Sequence, residues 1–391
     1  MTQINALIAE NAEYVINLRR YFHMHPENSG EEFQTVLRIE EELDKMGIAH
    51  HRFGTTGVIA TISGKPSSNR TILLRADTDA LPMQDEKTCD YASQTPGIMH
   101  ACGHDAHTAS LLLATKVLKL TENEWNGNVK LAFQPAEEIG HGALELINAN
   151  ELENVDAVFS LHVASSMDSG LIGVRSGPMM ASCDSFDITV TGRSGHVSAP
   201  HLSVDALYTA CSIVTQLQSI VSRKVDPIES AVVGVGVLRS GTSYNIVADN
   251  AFIQGTTRAF THATRKLLNE SVARIAENTA ASNGAKVNIL FKDAKAPLIN
   301  DPEWTTRMVN ACSREFGEES IQSDVAQSLG ADDFAELLAL RPGVYMRIGT
   351  RNATDPNTAV SHHHPHFDID ETTLLKAARL FILAVEENGN L

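Results

Sequence analysis

The chain has 391 residues, enough for two or three domains that each bury a hydrophobic core. Hydrophobic residues make up 43% and charged residues 20%, a mix that excludes a disordered or low-complexity chain. The formal net charge of −17 repels nucleic-acid phosphates and anionic membrane surfaces, so we expect neither as a partner.

The cysteines and the N-terminal sequence indicate in which cellular compartment the protein is found. Five widely scattered cysteines do not suggest a disulfide framework in a chain of this size. The start lacks the basic and apolar regions of a secretory signal, and no apolar run approaches the roughly 20 residues of a membrane span. These features predict a soluble cytoplasmic protein. Its 16 histidines are a first hint of metal binding, because imidazole is the commonest metal ligand.

The first half of the chain is predicted to be layered α/β. Apolar residues recur at helical spacing from Val15 to Met46, with interruptions at Pro26 and Gly30. Short β-rich runs then predict strands over 57–62, 71–75, 129–133 and 157–161, with a helix over 108–120. Near-continuous apolar strands are typical of a mostly parallel sheet that is covered on both faces.

The middle of the chain has the order of a ferredoxin-like unit. Strands are predicted over 186–191, 231–238, 251–259 and 286–291, with helices over 203–221 and 261–281. This βαββαβ order can fold by itself. We therefore predict an inserted domain over 182–295, and one catalytic domain formed by 1–181 and 296–391. The last part adds a helix over 302–316, a strand over 343–348 and a helix over 370–387 that Asp370 caps.

Three predicted strands end in groups that bind metals. The first ends in Asp77 and Asp79, the second in Glu137 and Glu138, and the third in His162. Ligands of open α/β sheets bind beyond the carboxyl ends of the strands. A charged residue in a solvent-exposed loop explains a single such strand end equally well. Three such strand ends together favour a metal site.

Two further clusters could supply ligands. Cys102 and His104 are two residues apart in one loop, so both side chains can face one ion. The alternative is a buried cysteine beside histidines that cap a helix. A second, internal cluster precedes the last predicted helix and consists of His362, His363, His364 and His366. Spacing alone does not choose among these four.

The adjacent Glu137 and Glu138 can divide the work of metal-assisted hydrolysis. One carboxylate can hold an ion while its neighbour takes a proton from water and passes it to the leaving amine. In the predicted insertion, His196, Asn245 and Arg258 could contact a substrate, and Arg258 could pair with a carboxylate. The alternative for these three is turn chemistry and an exposed arginine. We find no phosphate-binding loop, dinucleotide fingerprint or nucleophile elbow.

The combined motifs resemble a known family. The segments 99–107 (MHACGHDAH), 133–138 (FQPAEE), 195–201 (GHVSAPH) and 363–371 (HHPHFDIDE) resemble the two-metal amidohydrolases. This family includes hippurate hydrolases, auxin-conjugate hydrolases, N-acetyldiaminopimelate deacetylases and bacterial aminoacylases. The resemblance spans nearly the whole chain and implies a catalytic domain interrupted by a lid through which two copies form a homodimer.

The resemblance also assigns roles. It implies metal ligands at Cys102, His104, Glu138, His162 and His363, with His362 and His364 left as neighbours. Glu137 matches the general acid/base, and His196 matches the lid histidine that reaches across the dimer. Asn245 and Arg258 resemble lid groups that hold the substrate. The wider superfamily has the motif His-x-Asp where this chain has Asp77 and Asp79. We therefore expect these two aspartates to contact the metal ligands rather than the ions.

The predicted activity is hydrolysis of N-acyl-L-amino acids with acetyl, benzoyl or related acyl groups. The implied cofactors are two divalent ions, manganese or zinc, with cobalt or nickel also compatible. A metallocarboxypeptidase or dipeptidase on the same scaffold is the nearer alternative. A non-catalytic metal-dependent binding protein is the remote one, and the intact Glu137 counts against it.

Overall fold

The computed structural model describes residues 3–389, which form two compact units. The first unit runs up to Gly177 and resumes with Asn300–Ala326 and with the residues from Asp332 onward. The second unit comprises Pro178–Ile299 and Gln327–Ala331. It therefore begins at Pro178 rather than at 182 and ends at Ile299 rather than at 295, and it takes in a short later segment that the sequence did not indicate.

The helices and strands are as follows. The strands are β1 (His50–Phe53), β2 (Gly57–Ser63), β3 (Thr71–Asp77), β4 (Asn128–Gln134), β5 (Ala157–Asp168), β6 (Ile172–Gly173), β7 (Gly177–Met180), β8 (Cys183–Thr191), β9 (Gly195–His196), β10 (Ala231–Ser240), β11 (Ile246–Val247), β12 (Asn250–Ala259), β13 (Lys286–Lys295), β14 (Leu298–Asn300), β15 (Ile321–Gln322) and β16 (Gly343–Arg351). The helices are α1 (Gln3–Glu10), α2 (Ala12–Met24), α3 (Phe33–Lys45), α4 (His104–Leu120), α5 (Gly142–Asn148), α6 (Ala206–Leu217), α7 (Ser219–Arg223), α8 (His262–Ser282), α9 (Pro302–Phe316), α10 (Phe334–Leu338) and α11 (Thr373–Gly389). None of the described helices is long and apolar enough to cross a membrane.

An eight-stranded sheet forms the centre of the first unit. Its order is β1-β2-β4-β3-β5-β16-β6-β15, and its middle strands β4, β3, β5 and β16 are mutually parallel. Every residue of β3 is buried, which explains its continuous apolar run. In the register of the sheet Asp77 lies opposite Gln134, so β3 and β4 end at the same edge. The predicted α/β class with a large, mostly parallel sheet is confirmed.

Several predicted boundaries differ from the structure. The helix predicted over 203–221 is two helices, α6 and α7, which meet at Gln218. The last helix begins at Thr373 rather than at Asp370. Asp370 instead forms a turn before the helix, where its Oδ1 accepts a hydrogen bond from the Thr372 amide at 3.0 Å. Such Asp turns compete with helix formation, so the pattern overestimated the helix.

The second unit contains a four-stranded antiparallel sheet with the order β10-β12-β8-β13. Helices α6 and α8 bury their apolar side chains against this sheet in one core that includes Phe186, Ile213 and Val272. Two N-caps fix where these helices begin: Asp205 accepts from the Tyr208 amide, and Thr261 accepts from the Thr264 amide. The order is the ferredoxin-like order predicted from the sequence.

A buried arginine ties the N-terminal part of the first unit to its end. Arg19 of α2 is fully buried, and its Nε lies 2.9 Å from Asp105 Oδ2 in the first turn of α4. Its Nη2 lies 2.8 Å from Asp368 Oδ1, and its Nη1 lies 3.2 Å from Glu371 Oε1. The guanidinium therefore holds together three chain segments, two of which flank predicted metal ligands.

This network predicts how stability depends on pH. Burial raises the pKa of Asp368, but Arg19 and Lys87 outweigh burial and hold the pKa below its ordinary value. The stabilisation by Asp368 is therefore complete above its unfolded pKa of about 3.9 and is lost as the pH falls through the lower, folded pKa. We expect Asp368→Asn to cost roughly 1.5–3 kcal/mol of unfolding free energy at neutral pH.

Urea denaturation at a series of pH values measures this effect. Asp368→Asn should lose less stability than the wild type as the pH falls below about 4. Asp90→Asn, at an exposed position, is the control and should follow the wild-type curve. Identical acid limbs for the wild type and Asp368→Asn would contradict the prediction.

Candidate metal centre

A glycine brings the first two predicted ligands to the sheet edge. Gly103 lies between Cys102 and His104 with φ of 90°, and it is the N-cap of α4. A Cβ at this position would lie 2.3 Å from Val163 Cγ2, so the loop packs against β5 only because residue 103 has no side chain. The result is that Cys102 Sγ lies 3.5 Å from His162 Nε2.

The ring nitrogens of two histidines are oriented as in metal sites. His104 donates from Nδ1 to the carbonyl oxygen of Asp79 at 2.9 Å and to its Oδ1 at 3.0 Å. His162 donates from Nδ1 to the Val163 carbonyl at 2.7 Å. Metal-binding histidines commonly donate one ring N–H to a carboxylate or carbonyl in this way, which directs the other nitrogen to the ion. Asp79 thus supports His104 from behind.

Glu138 and His363 meet on the other side of Cys102. His363 Nε2 lies 3.3 Å from Glu138 Oε1, and the Glu138 amide donates to Asp79 Oδ2 at 3.0 Å. The turn that carries Glu138 is tightly constrained: Ala136 has φ of 54°, and a Cβ at Gly142 would lie 1.7 Å from the Pro135 carbonyl oxygen. His363 is also in the left-handed region, with φ of 60°.

The donor atoms form two groups that share the cysteine. Cys102, His104 and Glu138 make one group, and Cys102, His162 and His362 make the other, each with ligand atoms within 4.8 Å of one another. Two buried ring nitrogens here, His104 Nε2 and His362 Nδ1, have no hydrogen-bond partner among the described residues. Unpaired buried polar atoms are costly, so these orphans fit a site for cations. Thiolate, imidazole and carboxylate together suit borderline divalent ions.

The pKa values of Cys102 and His162 bear on whether these side chains can bind a metal ion. Burial raises the pKa of the Cys102 thiol, and a bound cation would supply the opposite charge that a thiolate needs. Burial also lowers the pKa of His162 well below its ordinary value, so its imidazole stays neutral with a lone pair to offer. The low pKa of His162 favours metal binding, whereas the Cys102 thiolate becomes favourable only when a cation is bound.

His107 lies close to these groups but has no nitrogen left for a metal. It donates from Nδ1 to Asp77 Oδ1 at 2.6 Å, and its Nε2 accepts from the Val163 amide at 3.0 Å. Its ring therefore joins Asp77 to the backbone beside His162. Asp77 therefore contacts His107, which lies beside the ligands, and Asp77 does not itself occupy a ligand position.

Sequence reasoning missed the network around Glu137. Glu137 is buried, and its Oε1 accepts from the Asp333 amide at 3.3 Å. Arg75 is fully buried and bonds from Nη1 to Asp77 Oδ2 and from Nη2 to Asp333 Oδ1, both at 2.7 Å, and from Nε to Gln134 Oε1 at 3.0 Å. The available signal was an arginine inside the apolar run of β3, because a buried charge needs partners.

The other predicted site residues lie in the second unit. His196 is exposed in β9, which pairs with β11, and its Nδ1 lies 2.6 Å from Ser198 Oγ. The Val197 amide donates to the Asn245 carbonyl at 3.2 Å, so His196 and Asn245 share one ribbon. Arg258 is half-buried on β12, opposite Val232, and is not part of that ribbon.

Comparison with known proteins identifies the family. The family model described as peptidase family M20/M25/M40 matches residues 73–387, from β3 to the end of the last helix. The chain belongs to this family. The M20 chain is a hydrolase, and the resemblance predicted from its motifs is confirmed.

Relatives of this M20 chain are named for two kinds of reaction, deacetylation and carboxypeptidase cleavage. This chain is 38% identical over 365 residues to the N-acetyl-L-cysteine deacetylase of Bacillus subtilis, and the match covers 93% of this chain and 85% of that protein. It is 35% identical over 386 residues to thermostable carboxypeptidase 1 of Saccharolobus solfataricus, covering 97% and 96%. The crystal structure of a dinuclear metal-binding M20 peptidase from B. subtilis matches with a TM-score of 0.83 at 34% identity, covering 96% and 98%.

Proposed function

We propose that this M20 protein hydrolyses the amide bond between an acyl group and the α-amino nitrogen of an L-amino acid. The acyl group is acetyl, benzoyl or a related one. The observation that carries the proposal is the buried Glu137 directly beside Glu138 and its group of metal-binding atoms. A metal-assisted hydrolase needs an acid beside the ligands that does not itself hold the ion, and Glu137 lies outside the two donor groups that share Cys102. The similarity to an acetyl-amino-acid deacetylase supports the substrate class.

The proposed cofactors are two divalent ions. Cys102, His104, Glu138, His162 and His363 would hold them, and Cys102 belongs to both donor groups. Manganese or zinc suits these ligands, and cobalt or nickel is also compatible. Bound ions of this kind polarise the scissile carbonyl and acidify water. The dinuclear site of the B. subtilis relative supports the number of ions.

The proton steps fall to Glu137. Its carboxylate takes a proton from the attacking water as the new C–O bond forms, and gives that proton to the amine as the C–N bond breaks. The Asp333 amide at 3.3 Å orients this carboxylate. We further propose that His196 stabilises the oxyanion and that Asn245 and Arg258 hold the carbonyl or carboxylate of the substrate.

We also propose a cytoplasmic homodimer that forms through the second unit, which we take to be the predicted lid. Large apolar side chains are exposed there, among them Ile228 at 90% and Tyr244 at 95%, and burial in an interface would remove them from water. All five cysteines are free, as a reducing compartment favours.

Mixing two inactive variants tests whether the site is shared between copies. His196→Ala and Glu137→Gln should each have very low turnover, but a mixture should recover roughly a quarter of wild-type turnover after random exchange of subunits. The reason is that half of the dimers are then mixed, and one of their two sites has both residues intact. No recovery in a mixture that has been shown to exchange subunits would contradict a shared site.

Release of free amine measures the activity itself. The substrates are N-acetyl, N-benzoyl and indole-acetyl amino acids beside dipeptides, with added manganese or zinc and with a chelator as control. Chelator-sensitive release from the N-acyl compounds alone is the expected result. Preferential cleavage of dipeptides would favour the carboxypeptidase or dipeptidase alternative, which the similarity to carboxypeptidase 1 supports. No release from metal-loaded protein would favour a binding role.

A further inference from the structure

His362 occupies a position that neither the motif nor the spacing of the histidine run explains. Its ring lies 5.2 Å from the ring of His162 and 4.7 Å from that of Phe367, measured between centroids. It is therefore inside the candidate metal centre, on the same side as His162. His364, the next residue but one, is exposed and accepts from the His366 amide at 3.2 Å.

The backbone gives two consecutive histidines different neighbours. The His363 amide donates to the Ala101 carbonyl at 2.9 Å, which holds the turn beside Cys102. Because His363 has φ of 60°, the chain changes direction there. His363 faces Glu138, whereas His362 joins Cys102 and His162 within 4.8 Å.

The imidazole of His362 is in a state that can bind a cation. Its Nδ1 is buried and has no hydrogen-bond partner among the described residues. An imidazole nitrogen without a hydrogen-bond partner can offer its lone pair to a cation.

We propose that His362 is a metal ligand, and that it completes a sulfur and nitrogen donor set with Cys102 and His162 at one of the two cation positions. The inference rests on the proposed two-metal function. Glu138 and His363, whose side chains lie 3.3 Å apart, then serve the other position, with the thiolate shared. The two positions differ in chemistry, because one lacks a carboxylate. The position with His362 favours zinc, cobalt or nickel, whereas the position with Glu138 also accepts manganese.

Cobalt loading separates this role from simple packing on Phe367. His362→Phe keeps an aromatic ring in the same place but has no donor atom, and His364→Phe is the matched control in the same turn. Each protein is loaded with Co²⁺, freed of excess metal by gel filtration and assayed for bound cobalt and for its visible spectrum. Wild type and His364→Phe should hold two ions per chain. His362→Phe should bind one of them at least roughly 10- to 100-fold more weakly.

The outcomes are distinct. Two tightly held ions and an unchanged spectrum in folded His362→Phe would overturn the role of His362 and leave the proposed function intact. A wild type that binds no cobalt would overturn both. If circular dichroism shows that His362→Phe does not fold, His362→Gln is measured in its place with the same criteria. Glu138→Gln should do the converse, losing the other ion and keeping the thiolate-to-cobalt absorption of the position with His362.

Discussion

Glu137→Gln is expected to keep its fold and its metal and to lose turnover by roughly 10²- to 10⁴-fold. The amide has nearly the shape of the carboxylate and can still accept from the Asp333 amide, but it cannot take a proton from water. Turnover on the best N-acyl substrate and metal content by elemental analysis are the two measurements. The loss should appear in kcat, because the proton is transferred in the reaction and not in binding.

Two comparisons make this result specific. Glu153→Gln, an exposed position in the same unit, should leave turnover unchanged. Glu138→Gln should lower metal content, whereas Glu137→Gln should not. Wild-type turnover in Glu137→Gln would remove Glu137 from the mechanism.

Arg75→Met is expected to lower the free energy of unfolding of the first unit by about 3–5 kcal/mol. The substitution keeps much of the side-chain volume but leaves Asp77 and Asp333 buried without their counter-charge. Removing one partner of a buried ion pair is costly because the other charge stays desolvated. The midpoint of urea unfolding, followed by circular dichroism, measures the change.

An exposed ion pair provides the control for Arg75. Arg52 forms a surface pair with Glu40, and Arg52→Met should cost less than about 1 kcal/mol. Equal midpoints for Arg75→Met and Arg52→Met would show that the Arg75 network does not stabilise the unit. A folded Arg75→Met protein at low temperature should also have reduced turnover, because Asp333 helps to orient Glu137.

Local patterns predicted most of the fold. The four strands predicted in the first half begin within a residue of their predicted starts, because β-branched apolar runs specify buried strands wherever they pair, whereas β1 was not predicted. The second unit follows its predicted order for the same reason. Short strands such as β6 and β15 were not predictable, since two residues carry no periodicity. The start of α4 at His104 also differs from the prediction, because it depends on Gly103 packing against Val163.

The site was predictable where it follows strand ends and not where it depends on distant partners. Asp77, Glu137 and His162 each follow an apolar run, so their convergence can be inferred from parallel strands. The contacts of Arg75 with Asp333 and of Ser29 with Asp79 join residues far apart in the chain. No local pattern specifies such pairs. His362 illustrates the same limit, because the left-handed turn at His363 separates the neighbours of the two histidines.

The interruption of the first unit has a consequence for how the protein matures. Four of the six proposed ligands precede the second unit, and His362 and His363 follow it. During synthesis the chain must therefore complete the whole inserted unit before the last ligand leaves the ribosome. An insertion that folds independently holds its two ends at a fixed separation, which lowers the entropy cost of closing so long a loop. The rate of metal uptake by the newly made chain should then follow the folding of a unit that contributes none of the proposed metal ligands.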